Sequence, residues 1–535
     1  MLSYRKLAMR VLGRPLHTEG IDSPRPASQR AAALVLTAAM LTTLAAPAFA
    51  DIWHIENGDI TISAGESGNN VTQNNNTTYG DTNTIITNQN KDTASSNTVT
   101  IETNDKNDTV EVTLKDVNID TSSRNKAAVS VTGEGDTNIK LDGDNALKSD
   151  IYRSGIYGSG SGSLTISGGE NDSLTAQGGS GANGISSSGS LTISGGENNS
   201  LTAQGGSGSG IFSSGGVTIS GGTVNATGGK SGAGIHSGSF TIYGGTVNAK
   251  GGNGGNVSGF GIISDGGVTI SGGTVKAAGG DSKDGYGGDG IRSGGVVTIS
   301  GNTVNAAGGN GGKVGGYGIC SFDRVAISSG TVTANGGDSK DGYGGDGIYS
   351  NDIDLSGSLE LTAKAGSPNG KALSQNGKEL NLDTIKDKLG PGAKVTTTDA
   401  DGKVKQVSGP RPVEPEKPVI PEESSSSSDG GSATPSAPAS PLPGLTVTDK
   451  DGQRISYTST QSGNTLTVCV GRLTASFRIS LAALRQLRAE GIDTITFQTI
   501  LCSTTLSVDE LLAMGGEDAE AVLTHRLTAS SLTVG

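Results

Sequence analysis

Between residues 156 and 348, one pattern of hydrophobic and polar positions recurs along the chain. Each repeat opens with Gly-Ile, continues with a Val/Leu-Thr-Ile-Ser segment and a Gly-Gly turn, and ends with a Thr-Val-Asn-Ala-like segment and a glycine-rich loop. Short alternating segments joined by glycine turns, at intervals of 24 to 29 residues, predict a β-solenoid. The repeat isoleucines are Ile156, Ile185, Ile211, Ile235, Ile262, Ile291, Ile319 and Ile348.

Three short strands per repeat predict a parallel β-helix. In the first complete Val-Thr-Ile-Ser segment, the alternation places Val217 and Ile219 in the core and the Thr and Ser side chains in solvent. The same rule buries Val224 and Ala226 in the next strand. Because crossovers between parallel strands are nearly always right-handed, we predict an all-β, right-handed parallel β-helix.

Changes in composition divide the chain into four parts. Residues 1–50 combine basic residues, an apolar run over 31–46 and an Ala-Phe-Ala site, which is typical of a secretory signal peptide cleaved after Ala50. Residues 51–408 form the β-helix, with atypical capping coils at both ends. Residues 409–444 are a Pro/Ser-rich linker that we expect to be disordered, and residues 445–535 are a small α+β module.

The sequence also predicts some less regular elements. The Asn/Thr-rich segment 69–93 is interpreted as a loop between the first coils. In the last module a helix is predicted over 481–489, and a second from Ser507, where Ser-Val-Asp-Glu is a capping box. Strands are predicted there at 454–458, 464–470, 473–479, 493–499 and 520–527.

Charge and cysteine content narrow the classes of function. The chain of 535 residues has a net charge of −13, and an acidic solenoid without a basic stripe is a poor candidate for nucleic-acid binding. No second apolar segment follows the signal peptide, so we expect a secreted or cell-surface protein without a transmembrane segment after cleavage. Cys469 and Cys502 either form a disulfide or stay free, while Cys320 is interpreted as a packing residue.

The glycine-rich loops carry the candidate binding residues. Four consecutive coils place an aromatic residue there, and stacking of the coils is expected to bring the four rings into one ladder. Exposed rings on a glycine-rich surface suit the apolar faces of sugars, and the alternative is that each ring covers its own loop. The candidate carbohydrate-binding residues are Phe260, Tyr286, Tyr317 and Tyr343.

Two of these loops share the sequence Asp-Ser-Lys-Asp-Gly-Tyr-Gly-Gly-Asp, with the copies 57 residues apart. Three carboxylates in a short segment that we expect to be flexible suit Ca²⁺, which takes about six to eight oxygen ligands. The alternative is a solvated acidic loop that was copied with the repeat. The candidate metal ligands are Asp281, Asp284, Asp289, Asp338, Asp341 and Asp346.

An enzyme interpretation uses some of the same residues. Polysaccharide lyases on β-helices combine Ca²⁺-binding aspartates with a Lys or Arg base. The loop would supply these groups as Asp281, Asp284, Lys283 and Arg292. Against a lyase, the second copy of the loop has Tyr349 at the position that Arg292 holds in the first.

The first coils and the repeats together resemble a known family. The runs Val110–Ile119 and Asn138–Leu147 and the Thr-Ile-Ser-Gly-Gly coils are similar to the secreted carbohydrate-binding β-helix proteins of Gram-positive bacteria, over roughly residues 52–400. The resemblance implies a polysaccharide-lyase-like right-handed β-helix that binds plant or acidic polysaccharide, with bound Ca²⁺ and no turnover. It transfers no metal ligands residue by residue.

The sequence therefore predicts a non-catalytic, extracellular polysaccharide-binding protein that presents a Ca²⁺-dependent face of aromatic and aspartate residues. Two alternatives stay open. One is a structural or adhesin rod that binds a protein or host surface, and the other is a polysaccharide lyase.

Overall fold

The computed structural model describes residues 51–410 apart from residue 197, and residues 444–534 apart from 450–451, 456, 463, 471, 473, 500–502, 515–518 and 526–529. The predicted signal peptide, most of the predicted linker and Cys502 lie outside these residues. The described residues fall into two units, a β-helix and a C-terminal unit. Within them, no helix is both long and apolar enough to cross a membrane.

Residues 156–364 form a parallel β-helix with three strands per coil, as predicted. Each repeat isoleucine before Ile348 pairs in register with the isoleucine of the next coil, for example Ile262 with Ile291, and Ile348 pairs with Leu373. Right-handed winding remains a prediction from the general rule for parallel crossovers. The strands are Ile156–Gly158, Leu164–Gly168, Ser173–Gln177, Ile185–Ser187, Leu191–Gly195, Ser200–Gln204, Ile211–Ile219, Thr223–Thr227, Ile235–Ile242, Thr246–Lys250, Ile262–Ser264, Val268–Ile270, Thr274–Ala278, Ile291–Ser293, Val297–Ala307, Ile319–Asn335 and Ile348–Lys364.

The core consists of five columns of hydrophobic side chains that run along the axis. In one coil they are Ile291 from the first strand, Val297 and Ile299 from the second, and Val304 and Ala306 from the third. All five side chains are buried, and each stacks on the residue at the same position in the coils above and below. This stacking confirms the alternation expected from the sequence.

The first coils differ from the repeats because they carry an antiparallel insertion. Gly68–Gln73 pairs antiparallel with both Ile60–Gly65 and Asn76–Asp81. The prediction of a loop over 69–93 is therefore wrong, since alternating residues such as Val71 and Gln73 bury one face of a hairpin. The strands of this part are Ile52–His54, Ile60–Gly65, Gly68–Gln73, Asn76–Asp81, Thr84–Thr87, Val99–Thr103, Thr109–Lys115, Asn118–Asp120, Val129–Gly133, Asp136–Asp142 and Asp144–Lys148, with a 3-10 turn at Ile55–Asn57.

An ion cluster fastens the first coil to the third. Two nitrogens of Arg124 donate to the two carboxylate oxygens of Asp59 at 2.6 and 2.9 Å, and Lys126 Nζ donates to the same carboxylate at 3.0 Å. Burial acts to raise the pKa of Asp59, but these bonds outweigh burial and hold that pKa well below its usual range. The carboxylate of Asp59 therefore stays ionised between its two cationic partners.

The last coils end in two hairpins. Lys394–Thr398 pairs parallel with the end of the preceding coil, and Val404–Ser408 then pairs antiparallel with it. The antiparallel strand covers the edge of the last coil, so that only a short strand edge is exposed. A short exposed edge limits pairing with strands of other chains. The remaining elements here are the strands Leu373–Gln375 and Lys378–Glu379 and the 3-10 turns Leu382–Thr384 and Lys386–Lys388.

A column of buried serines, which the sequence analysis did not predict, follows the first strand of each coil. Each serine lies two residues after the repeat isoleucine. Ser293 Oγ donates to the carbonyl of Gly266 at 2.8 Å, a residue of the preceding coil. Ser237 is equally buried, but its hydroxyl has no hydrogen-bond partner among the described residues. The column comprises Ser187, Ser213, Ser237, Ser264, Ser293, Ser321 and Ser350.

Ser293→Ala and Ser237→Ala form a matched pair of variants that tests this column. A buried hydrogen bond contributes about 1 kcal/mol, whereas removing an unpaired hydroxyl costs nothing, so we expect local destabilisation only in S293A. Native-state hydrogen exchange of the strand amides around each site gives the local free energy of opening. Equal effects in the two variants would show that the hydroxyl bonds do not stabilise the coils.

The C-terminal unit consists of two four-stranded sheets and two helices. One sheet contains Leu445–Thr448, Ala475–Ser480, Glu520–His525 and Ser530–Val534, and the other contains Thr458–Ser462, Thr465–Cys469, Thr494–Gln498 and Ser503–Ser507. Phe477 and Phe497 pack with ring centroids 4.9 Å apart, and the buried His525 lies 5.5 Å from Phe477. Burial lowers the pKa of His525, which holds the ring neutral in this core.

The helices of this unit agree with the sequence analysis better than the strands do. The first helix, Leu481–Ala489, has the predicted bounds, and the second is Val508–Met514 with Ser507 Oγ accepting from the Glu510 N–H at 3.4 Å. The strand predicted at 454–458 is wrong, because the strand begins only at Thr458. Cys469 has Gln498 Oε1 3.5 Å from its Sγ, and its pairing with Cys502 remains a prediction.

Candidate functional site

A continuous series of main-chain hydrogen bonds closes the glycine-rich loops at their base, which we call the loop neck. Gly288 donates to Gly280 across the neck of one loop at 2.9 Å, and Gly309 of the next coil donates to Gly288 at 2.8 Å. Bonds across a loop neck alternate in this way with bonds between successive coils, and all of them join glycines. This glycine chain comprises Gly208, Gly229, Gly232, Gly252, Gly259, Gly280, Gly288, Gly309, Gly316, Gly337, Gly345 and Gly366.

A side chain does not fit at these positions. A Cβ atom added to Gly288 would lie 1.9 Å from the carbonyl oxygen of Gly259, and one added to Gly316 would lie 1.9 Å from that of Gly288. Glycine is required here for the close approach of successive backbones. The expectation of flexible loops is therefore wrong at the loop necks, where the repeated glycines form a hydrogen-bonded stack.

Two of the predicted metal ligands bond one coil to the next. Asp281 Oδ1 accepts from the N–H of Asn310 at 2.7 Å, and Asn310 Oδ1 accepts from the N–H of Asp338 at 2.9 Å. Asp338 Oδ1 then accepts from the N–H of Ser367 at 2.8 Å. Asp281 and Asp338 thus belong to a ladder of alternating Asn and Asp that holds the loops in register.

Two further aspartates are buried in the wall. Asp289 Oδ1 accepts from the N–H of Tyr317 at 2.8 Å, and Asp346 Oδ1 accepts from the N–H of Lys371 at 2.7 Å. Burial raises the pKa of Asp289 against the opposing effects of Arg292 and the Tyr317 N–H, and burial likewise raises the pKa of Asp346. Both carboxylates already serve as acceptors within the fold.

The six aspartates do not fit one calcium shell. Only Asp284 and Asp341 are exposed with carboxylates that make no hydrogen bond to a described residue, and they lie two coils apart, about 10 Å along the axis. Oxygen ligands of Ca²⁺ lie about 2.3–2.6 Å from the ion, so one ion does not reach both carboxylates. In the described part of the chain, no group of three or more His, Cys, Asp or Glu is placed to hold a metal ion.

Titration of the chelator-treated full-length protein with Ca²⁺ tests the calcium binding that was expected from the sequence. Because four of the aspartates are engaged in the fold, we expect no binding tighter than about 1 mM, the weak end of the range for extracellular calcium modules. Calorimetry measures this directly. Binding of about two ions, lost on changing Asp281, Asp284, Asp338 and Asp341 to Asn, would restore the calcium interpretation.

The four predicted aromatic residues lie in two separate columns. Tyr286 pairs with Val257 and Val314, and Val314 pairs with Tyr343, so tyrosine and valine alternate in the first column. The second column alternates aromatic and acidic residues in the order Phe260, Asp289, Tyr317 and Asp346. The glycine after each of the first three donates its N–H to the carbonyl of the next residue in the column. The prediction of one ladder is wrong, because the tyrosines of the first column lie five residues before the repeat isoleucine and those of the second lie two before it.

The second column adjoins a row of outward side chains on the first strands. This row is the residue after each repeat isoleucine, and it includes Phe212, His236, Ile263 and Arg292 in consecutive coils. The rings of Phe212 and His236 meet edge to face with centroids 5.2 Å apart. We call the following residues the aromatic face: Phe212, His236, Phe260, Arg292, Tyr317 and Tyr349.

One end of the aromatic face is a shallow groove of about 440 Å³. Phe212, His236 and Phe260 supply its rings, and Asn183 and Ser186 supply polar groups. The groove is a depression of the wall between adjacent coils. Such a site suits a ligand that lies along the surface and stacks on rings.

Beyond the groove, Arg292 is held in one orientation by three neighbours. Its Nη1 donates to Asp289 Oδ2 at 2.8 Å, and its guanidinium carbon lies 5.3 Å from the ring centroid of Phe260 and 4.6 Å from that of Phe322. Burial acts to lower the pKa of Arg292, but the charge of Asp289 and their hydrogen bond outweigh burial and raise it. The guanidinium is therefore a fixed, charged donor at the surface.

The other end of the face is a pair of stacked tyrosines. The rings of Tyr317 and Tyr349 lie 5.1 Å apart at 18° to one another. Burial raises the pKa of Tyr317 to about 12 and that of the neighbouring Cys320 also to about 12, so both keep their protons at neutral pH. Cys320 is fully buried, as expected of a packing residue.

Comparison with protein families agrees with this geometry. Four segments match the family model of the beta helix repeat, at residues 217–239, 240–262, 268–291 and 325–348. The chain carries beta helix repeats. Comparisons with curated proteins and with solved structures found no match. Carbohydrate binding and a Gram-positive origin, which the sequence resemblance implied, remain predictions.

Sequence reasoning did not identify Phe212, His236 or Phe322 as site residues, and it considered Arg292 only as a lyase base. A signal was present, because Ile-x-Ser on a strand with a buried Ile and Ser must point the middle residue outward. The aromatic residues predicted for the site all lie in the loops, so the residues on the strands were not predicted. For a lyase, the structure places Lys283 on an exposed loop and Arg292 in an ion pair on the strand, and that interpretation stays untested.

Proposed function

We propose that the β-helix is a non-catalytic polysaccharide-binding domain and that the aromatic face is its binding surface. The observation that carries this proposal is the groove, which is lined by Phe212, His236 and Phe260 and in which both phenylalanines are partly exposed. Sugar rings have an apolar C–H face that stacks on aromatic rings, and their hydroxyls require hydrogen-bond partners at the edge of the site. The predicted signal peptide would place this surface outside the cell.

Several features of the face support a polymer as the ligand. The groove, the Arg292 guanidinium and the tyrosine stack follow one another along the helix axis, with neighbouring coils about 4.8 Å apart. A linear chain of sugars is able to contact all three. Because the ion pair with Asp289 holds Arg292 and stacking holds Tyr317 and Tyr349 before binding, these side chains lose little conformational entropy when a ligand binds.

The double variant Phe212→Ala/Phe260→Ala tests the proposal, with Tyr286→Ala/Tyr343→Ala as the matched control from the other column. We expect the first variant to lose about tenfold to a hundredfold in glycan affinity, or roughly 1.4–2.8 kcal/mol. The control should bind like the wild type. A glycan array followed by calorimetry on the full-length proteins measures both, with circular dichroism to check folding.

The opposite pattern would move the binding surface to the other column. Loss in Y286A/Y343A with full binding in F212A/F260A would contradict the assignment to the aromatic face. Absence of glycan binding by the wild type would contradict the proposed function itself.

A second candidate function is an adhesin rod that binds a protein. It rests on the first column, where Val257, Tyr286 and Tyr343 are 51 %, 51 % and 65 % exposed. Val257 and Tyr286 lie in adjoining coils, and the half-buried Val314 lies between Tyr286 and Tyr343. Exposed apolar side chains in a row are a feature of protein-binding surfaces. The glycan array separates the two functions, because an adhesin of this kind binds no glycan.

A further inference from the structure

We propose that the aromatic face selects an uncharged polysaccharide, which excludes the acidic polymers among the plant or acidic polysaccharides that the sequence resemblance implied. This inference rests on the proposed function and specifies its ligand class. It is carried by the charges and hydrogen-bond donors that the fold places at the face.

The positive charge of Arg292 is already matched within the protein. Asp289 lies fully buried behind it, at 2.8 Å from Nη1, and is held there by the N–H of Tyr317. A uronate carboxylate would have to approach an ion pair that is neutral overall. Attraction of an anion to such a pair is weak compared with attraction to an unpaired cation.

The surroundings of the pair and of the groove add no excess of positive charge. Asp265 Oδ1 lies 3.5 Å from His236 Nε2, and Asp346 is buried in the same column as Asp289. Lys371 beside Asp346, and the exposed Lys230 next to the groove residue Ser231, each add one cation. Adjacent Asp323 and Arg324 cancel one another. Recognition of an acidic polymer requires a positive surface, and this face does not provide one.

The face does provide hydrogen-bond donors for the hydroxyl groups of an uncharged sugar. Nε and Nη2 of Arg292 make no hydrogen bond to any described residue, so they are available as donors. In the groove, Asn183 Oδ1 accepts from the N–H of Ser209 at 2.7 Å, and the amide nitrogen of Asn183 has no partner within the described ranges. Donors beside aromatic rings match the hydroxyls and C–H face of a neutral sugar.

Binding of the full-length protein to a panel of soluble polysaccharides tests the inference. The neutral members are β-glucan, arabinoxylan and galactomannan, and the acidic members are polygalacturonate and alginate. We expect binding to at least one neutral polymer and to neither acidic one. Raising the salt concentration from about 0.05 to about 0.5 M should change the affinity less than about twofold, because screening acts on charge pairs.

Arg292→Lys separates hydrogen bonding from charge. This variant keeps a cation next to Asp289 but loses the planar fork of donors, so we expect about a tenfold loss of affinity for the neutral polymer. Binding to polygalacturonate or alginate that weakens at high salt and survives in R292K would overturn the inference while leaving the proposed function intact. Absence of binding to every member of the panel would overturn both.

Discussion

The structure depends on the glycine chain, the run of main-chain hydrogen bonds that joins the loop necks of successive coils. Each bond measures 2.8 or 2.9 Å, and each glycine from Gly229 to Gly366 in the chain approaches a neighbouring carbonyl so closely that a Cβ would lie within 2.2 Å of it. Hydrogen bonds in such an aligned row polarise and strengthen one another. The abundance of glycine in the sequence is therefore a packing requirement of the wall.

The fixed loop necks also position the residues immediately after them. The second column consists of Phe260, Asp289, Tyr317 and Asp346. Each of these residues directly follows a glycine of the glycine chain. The first strand is fixed by the repeat isoleucine that it buries in the core, and the loop is fixed by the hydrogen bonds of the glycine chain. As a result, Asp289 and Arg292 meet at hydrogen-bond distance although one lies at the end of a loop and the other on a strand.

Two loops of identical sequence nevertheless make two different sites. Both copies end in a buried aspartate, Asp289 and Asp346, but only the first has an arginine three residues later. Arg292 pairs with Asp289, whereas Tyr349 stacks on Tyr317. The repeat thus supplies a constant wall, and single substitutions at outward positions give each coil its own surface chemistry.

Much of the fold was predictable from the sequence, because the period of the repeats and the alternation within strands are both set by the buried columns. The core residues Val217, Ile219, Val224 and Ala226 are buried as predicted. Side-chain positions in the loops were harder to predict, because repeat lengths vary and positions align only when counted from the repeat isoleucine. The hydrogen bonds of Asp281 and Asp289 were not predictable, since the same carboxylates in an unstacked loop would have been free.

The most direct test of this account is hydrogen exchange at the amides of the glycine chain, measured by NMR or by mass spectrometry with fragmentation. The account predicts that the amides of Gly280, Gly288, Gly309 and Gly316 exchange as slowly as those of the core strands, because each is bonded within the wall. Exchange at the rate of an unstructured glycine-rich loop would contradict it, since the aromatic face would then have no fixed support.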